Sequence, residues 1–278
     1  MAELVGVFAA SHGPLIVRDW HKVPDAPKER ITTAFRELGR RVMAVRPDVI
    51  IEVSPDHWVN FFIDNLPSVC IGVGESHEGP PEPFLKDFPW KAISGHPALA
   101  SHIVETALQG DFEPSISHHL KLDHGFCIPL WKMELDAPPC VIPMIINDLE
   151  PPMPSIGRCL QWGKLLAKAV ASFPGKLRVA VLATGGISHS IGEPTMGEID
   201  EPFDHDCIAA LKAGTETHLI DFLERRLPTT GNGAHEMRNW VVAHGAAGSS
   251  GFDLIDYLAV PEVYVGCGFA SWHLKKAA

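Results

Sequence analysis

The chain has 278 residues, of which 46% are hydrophobic and 21% charged, and it carries a formal net charge of −11. This length supports a large buried core, and the negative charge disfavours binding to DNA or to an anionic membrane. The six cysteines form no C-x-x-C pair, and no apolar run reaches the ~18 residues of a membrane span. The N-terminus lacks the basic and apolar regions of a signal peptide, so we expect a soluble cytoplasmic protein with reduced thiols.

Short apolar runs alternate with amphipathic segments along the chain, which is typical of an α/β domain. The predicted strands cover residues 4–10, 49–53, 68–73, 114–117, 141–146 and 177–183, with one or two more over 253–271. The predicted helices cover residues 27–45, 97–109, 155–172, two parts of 203–226 separated near Gly214, and 233–247 with Asn232 as the cap. We predict one α/β domain over residues 1–278, in which helices flank a central, mostly mixed sheet.

Residues 75–94 and 118–125 are the two predicted loops with the most unusual composition. The first is rich in glycine, proline and charge, and a long loop of this kind in a compact domain is either a functional lid or disordered. The second contains three histidines, His118, His119 and His124. His118 and His119 are the weaker candidates for function.

Two of the fifteen histidines directly follow predicted strands. His12 lies in the sequence SHGP at residues 11–14, and His57 ends the sequence SPDH at residues 54–57. In α/β folds, functional sites gather at the carboxyl ends of strands. A histidine in a turn is nevertheless more often a polar loop residue than a metal ligand, so neither position alone predicts a metal site.

Glu236 is the candidate carboxylate for such a site. It lies in the first turn of the predicted helix 233–247, where the helix dipole favours an acid whatever its function. Two imidazoles and one carboxylate form the facial triad of Fe(II) oxygenases, which leave open positions for substrate and oxygen. His235 is the alternative ligand, but adjacent helical positions point about 100° apart, so we expect only one of the two to reach the metal.

His124 and His189 are candidates for acid–base chemistry. His189 ends the sequence ATGGISH at residues 183–189, in which the paired glycines permit a close approach; the alternative is an ordinary turn after a strand. His124 follows Asp123, which could simply cap a turn. Histidine titrates near neutrality and is therefore the usual proton shuttle for a phenolic substrate. We also expect Asp56 and Asp123 to orient neighbouring imidazoles.

Seven motifs occur in one order along nearly the whole chain: SHGP at 11–14, DH at 56–57, GHPALASHI at 95–103, LDHGF at 122–126, VIPMIIN at 141–147, ATGGISH at 183–189 and HEMRNW at 235–240. In this set the sequence resembles the class III extradiol ring-cleaving dioxygenases, especially the catalytic β subunit of protocatechuate 4,5-dioxygenase and its gallate-cleaving relatives. The resemblance implies that His12, His57 and Glu236 bind Fe(II), that His189 is the acid–base residue and that His124 lies beside the substrate. It also implies extradiol opening of a catechol-type ring by O2.

The sequence departs from the protocatechuate branch in its tail. In that branch a small polar run is suited to a substrate carboxylate, whereas residues 260–267 here read VPEVYVGC. We therefore expect a benzoate carboxylate to bind less favourably, unless Arg18, Lys121 or Arg238 compensates for the missing polar run. The candidate substrates are therefore a protocatechuate- or gallate-like ring, a methylated gallate, a substituted catechol, an aminophenol or a hydroxypyridone.

The protocatechuate enzyme covers its site with a small helical subunit, which has no counterpart in this chain. We therefore expect either a homodimer, in which residues 75–94 and a second copy form the lid, or a separate small capping subunit.

Two other functions are compatible with the same residues. One is a non-enzymatic scaffold or binding protein on the same fold. The retention of all five histidine and glutamate positions argues against this function. The other is a zinc-dependent hydrolase or lyase, because two histidines and a glutamate also bind Zn²⁺ with an open site. Oxygen consumption distinguishes the zinc enzyme, since zinc has no redox chemistry.

Overall fold

The structure is a computed structural model that describes residues 1–135, 137–138 and 140–274. Within these residues the chain forms ten strands, Glu3–Ala10 (β1), Val49–Ser54 (β2), Val69–Gly72 (β3), Ser76–Glu78 (β4), Ala92–Ser94 (β5), Ser115–Ser117 (β6), Cys140–Ile146 (β7), Arg178–Thr184 (β8), Phe252–Val260 (β9) and Val265–Trp272 (β10). The same residues contain eight α-helices, Leu15–Arg18 (α1), Asp25–Ala44 (α2), Pro97–Gln109 (α3), His124–Lys132 (α4), Ile156–Ser172 (α5), Glu201–Ala213 (α6), Glu216–Arg226 (α7) and Met237–Ala246 (α8). Short 3₁₀ helices cover Trp20–Lys22, Pro83–Leu85, Leu227–Thr229, Asn232–Glu236 and Pro261–Val263.

Eight of the strands form one mixed sheet in the order β6-β3-β7-β2-β8-β1-β10-β9. The four central strands β7, β2, β8 and β1 are parallel, whereas β3 and β10 run antiparallel to their central neighbours. The carboxyl ends of the four central strands therefore lie at one edge of the sheet. The predicted α/β fold with a mixed central sheet is confirmed.

Helices cover both faces of this sheet. In β1, Val7 and Ala9 pack into one core layer and Phe8 and Ala10 into the other. Residues of α3, α5, α6, α7 and α8 belong to the first layer, and those of α2 and α4 to the second. Because both faces of the central strands are buried, these strands are nearly continuous apolar runs in the sequence, with the buried Glu52 of β2 as an exception.

The predicted strands of the large sheet and most predicted helices are confirmed to within two residues. The segment 253–271 forms two strands, and Gly214 ends α6 in the left-handed conformation with φ 68°. No helix in the described parts of the chain is long and apolar enough to cross a membrane.

Helix α4 was missed, because the sequence predicted only a loop over 118–125. Seven of its nine residues are buried, and it contains Pro129, so the sequence shows no amphipathic stripe. Asp123 is its N-cap, with Oδ1 accepting a hydrogen bond from Gly125 N–H at 2.8 Å.

The prediction for residues 232–247 was partly wrong. A 3₁₀ helix over Asn232–Glu236 precedes α8, and the Asn232 side chain does not cap it. The Asn232 amide instead exchanges two hydrogen bonds with the backbone of Ile191, of 2.8 and 2.9 Å. A contact between distant segments thus replaces the local cap.

Residues 75–94 are an ordered excursion rather than a disordered loop. Strands β4 and β5 pair in antiparallel register, and the connection between them buries Leu85 and Phe88 in the core layer of α2 and α4. This anchoring fixes the segment next to the carboxyl edge of the sheet, because Leu122 N–H donates to Glu78 O at 2.8 Å just before α4.

Candidate active site

His12 and His57 follow β1 and β2 and meet at the carboxyl edge of the sheet. Nδ1 of His12 lies 2.9 Å from Thr184 Oγ1, at the end of β8. Nδ1 of His57 lies 3.1 Å from Asp123 Oδ2, which also accepts the His57 backbone N–H at 2.8 Å. Since these partners occupy Nδ1, both rings keep Nε2 for a shared centre, and their centroids are 4.9 Å apart.

Glu236 brings a carboxylate to the same centre. It is the last residue of the 3₁₀ helix before α8, and only 3% of its surface is exposed. Its Oε2 accepts a hydrogen bond from Gly186 N–H at 2.7 Å. Its Oε1 lies 3.2 Å from His12 Nε2 and 3.6 Å from His57 Nε2. Two imidazole nitrogens and one carboxylate oxygen thus converge at one point.

The glycine pair after β8 makes room for this carboxylate. Gly185 has φ +144°, and a Cβ there would lie 2.8 Å from Glu236 Cβ. Trp240 of α8 donates from Nε1 to Gly185 O at 3.1 Å, and Asn239 donates to Thr184 O at 3.1 Å. Helix α8 is therefore fastened directly to the end of β8.

His189 lies on the other side of Glu236, with its Nε2 3.5 Å from Glu236 Oε1. The ring packs against Gly233 so closely that any Cβ at this position would overlap it. His189 is 8% exposed, and its Nδ1 has no hydrogen-bond partner among the described residues. One nitrogen of this buried imidazole thus has no partner in the part of the chain that the structure describes.

His124, the first residue of α4, stacks beside His57 with ring centroids 3.9 Å apart. Its Nδ1 lies 2.9 Å from Oε1 of Glu82, a residue of the 75–94 segment. Burial, and then the charge of His57, lowers the pKa of His124 to about 4. We therefore expect this imidazole to be neutral at physiological pH.

The charges at the centre depend on one another. Burial opposes ionisation of Glu236, but the imidazoles of His12 and His189 outweigh burial and hold its pKa well below the ordinary value. Burial also opposes the charged form of His57, whose pKa is nevertheless raised well above normal by Asp123 and Glu236. A cation at this centre would replace these protons, because histidine binds metals in its neutral form.

Two groupings of side chains can hold such a cation. One nitrogen from each of His12, His57 and His124 lies within 4.8 Å of the others. Glu236 offers the alternative third ligand, with Oε1 closer to His12 and His57 than that limit. A carboxylate suits a divalent metal better because it reduces the net charge of the centre.

Asp56 does not orient His57, contrary to the prediction. Its carboxylate accepts backbone N–H groups of residues 59–61 and so closes a turn. Asp123 does orient an imidazole, but that of His57 rather than the adjacent His124.

Sequence reasoning also missed three polar groups around the centre, Thr184, Glu82 and Asp148. Asp148 follows β7 and accepts a hydrogen bond from Asn239 Nδ2 at 2.9 Å. Its burial, followed by the charge of Glu236, raises its pKa well above the ordinary value. The position of Asp148 after a buried strand was the available signal; Glu82 had no comparable local signal.

The model of the catalytic LigB subunit of aromatic ring-opening dioxygenases matches residues 6–267. The chain belongs to this family. The LigB match confirms the resemblance to class III extradiol dioxygenases, and the names of the relatives agree that the chain is an extradiol dioxygenase.

The relatives of this LigB-family chain are named as dioxygenases of catechols that carry a side chain. It is 30% identical to the 2,3-dihydroxyphenylpropionate/2,3-dihydroxicinnamic acid 1,2-dioxygenase of Cupriavidus necator, over 91% of this chain and 92% of that protein. The enzyme of the same name from Burkholderia vietnamiensis is 30% identical, with 87% and 89% covered. These names do not specify protocatechuate or gallate.

The fold of this LigB-family chain is similar to that of a solved protein. The crystal structure of the uncharacterized protein JW3007 from Escherichia coli K12 superposes with a TM-score of 0.66 at 17% identity. The match covers 97% of this chain and 100% of the other, and it concerns the fold alone.

Proposed function

We propose that the protein binds Fe(II) through His12, His57 and Glu236 and opens a catechol-type ring next to its two hydroxyls. The observation that carries this proposal is the convergence of two Nε2 atoms on Oε1 of Glu236 at the strand ends. When bound, Fe(II) would hold the ring and O2 together and pass electrons between them.

The uncommitted nitrogens of His189 and His124 support an acid–base role for both. Nε2 of His189 faces Glu236 Oε1 at 3.5 Å, but Nδ1 has no hydrogen-bond partner among the described residues, so this nitrogen is free to take a phenolic proton. The neutral His124 keeps Nε2 for a substrate oxygen, because its Nδ1 faces Glu82. The proposed site residues span positions 12 to 236, which supports a single catalytic domain over residues 1–278.

For the substrate, we propose a catechol with an extended substituent in preference to a benzoate. A cavity of about 490 Å³ borders His189, and its lining includes three acids, Glu193, Glu198 and Asp200. Residues 260–267 are mostly apolar but include Glu262, and Val265 lies against Gly186 at the edge of the centre. Among the described residues, neither the lining of this cavity nor residues 260–267 offers a lysine or arginine to a carboxylate bonded directly to the ring.

Anaerobic reconstitution with Fe(II), followed by oxygen uptake and absorption spectra, tests the proposal. The panel contains 2,3-dihydroxyphenylpropionate, 3-propylcatechol, protocatechuate, gallate, 3-O-methylgallate, 2-aminophenol and a 3-hydroxy-4-pyridone. We expect oxygen uptake with a new yellow product for the first two compounds. Comparable rates for these two would show that a side-chain carboxylate is not recognised.

Matched samples loaded with Zn²⁺ provide the control for metal identity. Oxygen uptake that requires Fe(II) supports the proposal, because zinc has no redox chemistry. A chain that binds iron stoichiometrically and consumes no oxygen with any of these rings would contradict the proposed substrate class. A chain that binds zinc but not Fe(II) would contradict the proposed metal.

We also propose that a second copy of the chain covers part of the site. Phe62 and Ile63 follow His57 by five and six residues in the chain and are 53% and 77% exposed, and adjacent exposed apolar residues favour an interaction surface. Sedimentation velocity at several concentrations tests this: a dimer supports the proposal, and a monomer that is active only with an added small chain would favour a capping subunit. All six cysteines are free, which supports a reducing compartment such as the cytoplasm.

A further inference from the structure

The excursion over residues 75–94 places one acid inside the active site. Gly79 N–H donates to Lys91 O at 2.8 Å, and Leu122 N–H donates to Glu78 O at the same distance, so both sides of the excursion are hydrogen-bonded. Buried Leu85 follows a few residues later. The excursion is therefore held on both sides of Glu82.

Glu82 makes two contacts with one residue. Its Oε1 accepts the backbone N–H of His124 at 3.0 Å and lies 2.9 Å from His124 Nδ1. The flanking Pro81 and Pro83 restrict the backbone around Glu82, which is extended with φ −76° and ψ 127°. The carboxylate is only 16% exposed, and its Oε2 is buried without a partner in the described part of the chain.

We infer that Glu82 is a positioning residue that fixes the tautomer and orientation of His124, an inference that rests on the proposed function of this site. An ionised carboxylate has only acceptor atoms, so the Nδ1 atom that faces it carries the hydrogen. Nε2 of His124 is then left as an acceptor for a substrate hydroxyl.

A helix cap alone does not account for these contacts. Glu82 accepts the His124 N–H at the start of α4, next to the Gly125 N–H that Asp123 Oδ1 accepts. In addition, Glu82 lies 2.9 Å from the ring of the same histidine, a contact that capping does not require. The orientation of His124 matters here, because a ring nitrogen of His124 is near enough to His12 and His57 to compete for a cation.

Two variants and one matched control test the inference. Glu82→Ala removes the oxygen that accepts hydrogen bonds from His124, and Glu82→Gln keeps a side chain of the same size with one acceptor oxygen. Glu75→Gln makes the same chemical change at an exposed position of the same segment, where the side chain makes no hydrogen bond to a described residue. Thermal melts verify that each variant is folded.

The first readout is the imidazole ¹⁵N spectrum of the metal-free protein, in which His124 is assigned by its loss in His124→Phe. We expect wild-type His124 to carry its hydrogen on Nδ1, and Glu82→Ala to move part of the population to Nε2. Glu82→Gln should retain the wild-type tautomer in part, and Glu75→Gln fully.

The second readout is turnover with Fe(II). Loss of the outer partner of a histidine in a metal site typically lowers activity by ~10–100-fold, so we expect a decrease of kcat in that range for Glu82→Ala. Glu82→Gln should have a smaller decrease, and Glu75→Gln should keep the wild-type kcat. An unchanged His124 tautomer in Glu82→Ala would overturn the inference, whatever the rate. If Glu82→Ala fails to fold, Glu82→Gln becomes the test. The inference then requires Glu82→Gln to alter the Nδ1 resonance of His124, and an unchanged resonance would overturn it. The spectrum needs no turnover, so failure of ring cleavage and failure of this inference are separately visible.

Discussion

Two regions supply the active site, and they place their side chains in different ways. The strand-end region carries His12 and His57, which follow β1 and β2, the two parallel strands on either side of β8. The connection region carries Glu236, His189 and His124, which depend on contacts between distant segments, such as the Gly186–Glu236 hydrogen bond across 50 residues. The sheet thus fixes positions that a local pattern can reveal, while the connections fix positions that only the assembled fold can reveal.

The largest expected effect separates the two possible third ligands. We expect Glu236→Ala to lose metal affinity by more than the ~100-fold typical of outer partners, and to lose turnover with it. His124→Phe should lower turnover but retain the metal. Metal titration of the two variants decides between them, and retention of Fe(II) by Glu236→Ala with its loss in His124→Phe would assign the third position to the imidazole.

The next effect concerns proton transfer from the connection region. His189→Phe should keep the metal and lower kcat by roughly 10²–10⁴-fold, because general acid–base catalysis contributes that much. The test is single-turnover kinetics with Fe(II) bound, and the control is the metal content of the same sample. A wild-type rate would remove His189 from the chemistry.

A smaller effect distinguishes two aspartates near His57. Asp123→Asn should weaken metal binding by ~10–100-fold, because Asp123 Oδ2 holds the His57 ring. Asp56→Asn is the matched control, since the Asp56 carboxylate holds only a turn, and it should change stability but not metal affinity. Equal losses of affinity in both variants would show that the turn itself positions His57.

The last expected effect concerns stability rather than activity. Asp204 of α6 accepts a hydrogen bond from Tyr257 Oη at 2.6 Å, and burial raises its pKa to about 6 despite that bond. Because the folded pKa exceeds the unfolded value, its stabilising effect is complete below about pH 4 and is lost as pH rises through 6.

Asp204→Asn cannot ionise, so its stability relative to wild type should increase over that pH range. The gain should reach at most about 3 kcal/mol at neutral pH, and denaturant unfolding at pH 4, 6 and 7.5 measures it. A difference that does not change with pH would show that Asp204 has an ordinary pKa in the fold.

The sequence predicted most of the sheet because its central strands are buried on both faces and are therefore nearly continuous apolar runs. The prediction failed where a local pattern did not correspond to the folded structure. Helix α4 is buried nearly all round and contains Pro129, so its apolar residues gave no helical period. Asn232 looks like a cap locally, but its amide binds Ile191 in the folded chain.

Within the site, placement after strands favoured His12 and His57, but it did not distinguish metal ligands from polar turn residues and could not choose among the other histidines. The order of several motifs indicated His124, His189 and Glu236, and the structure brings them together. No pattern indicated Glu82, because its partner lies 42 residues away and the intervening excursion has no periodicity.

The close packing of Gly233 on the His189 ring has a consequence for mutational mapping. In a library of all single substitutions selected for growth on an aromatic carbon source, position 233 should tolerate almost no replacement, although glycine has no side chain to contribute to the reaction. Tolerance maps of this protein would therefore mark position 233 as strongly as a metal ligand. If a smaller residue in place of His189 allowed substitutions at position 233, the intolerance at 233 would be due to steric overlap with the His189 ring.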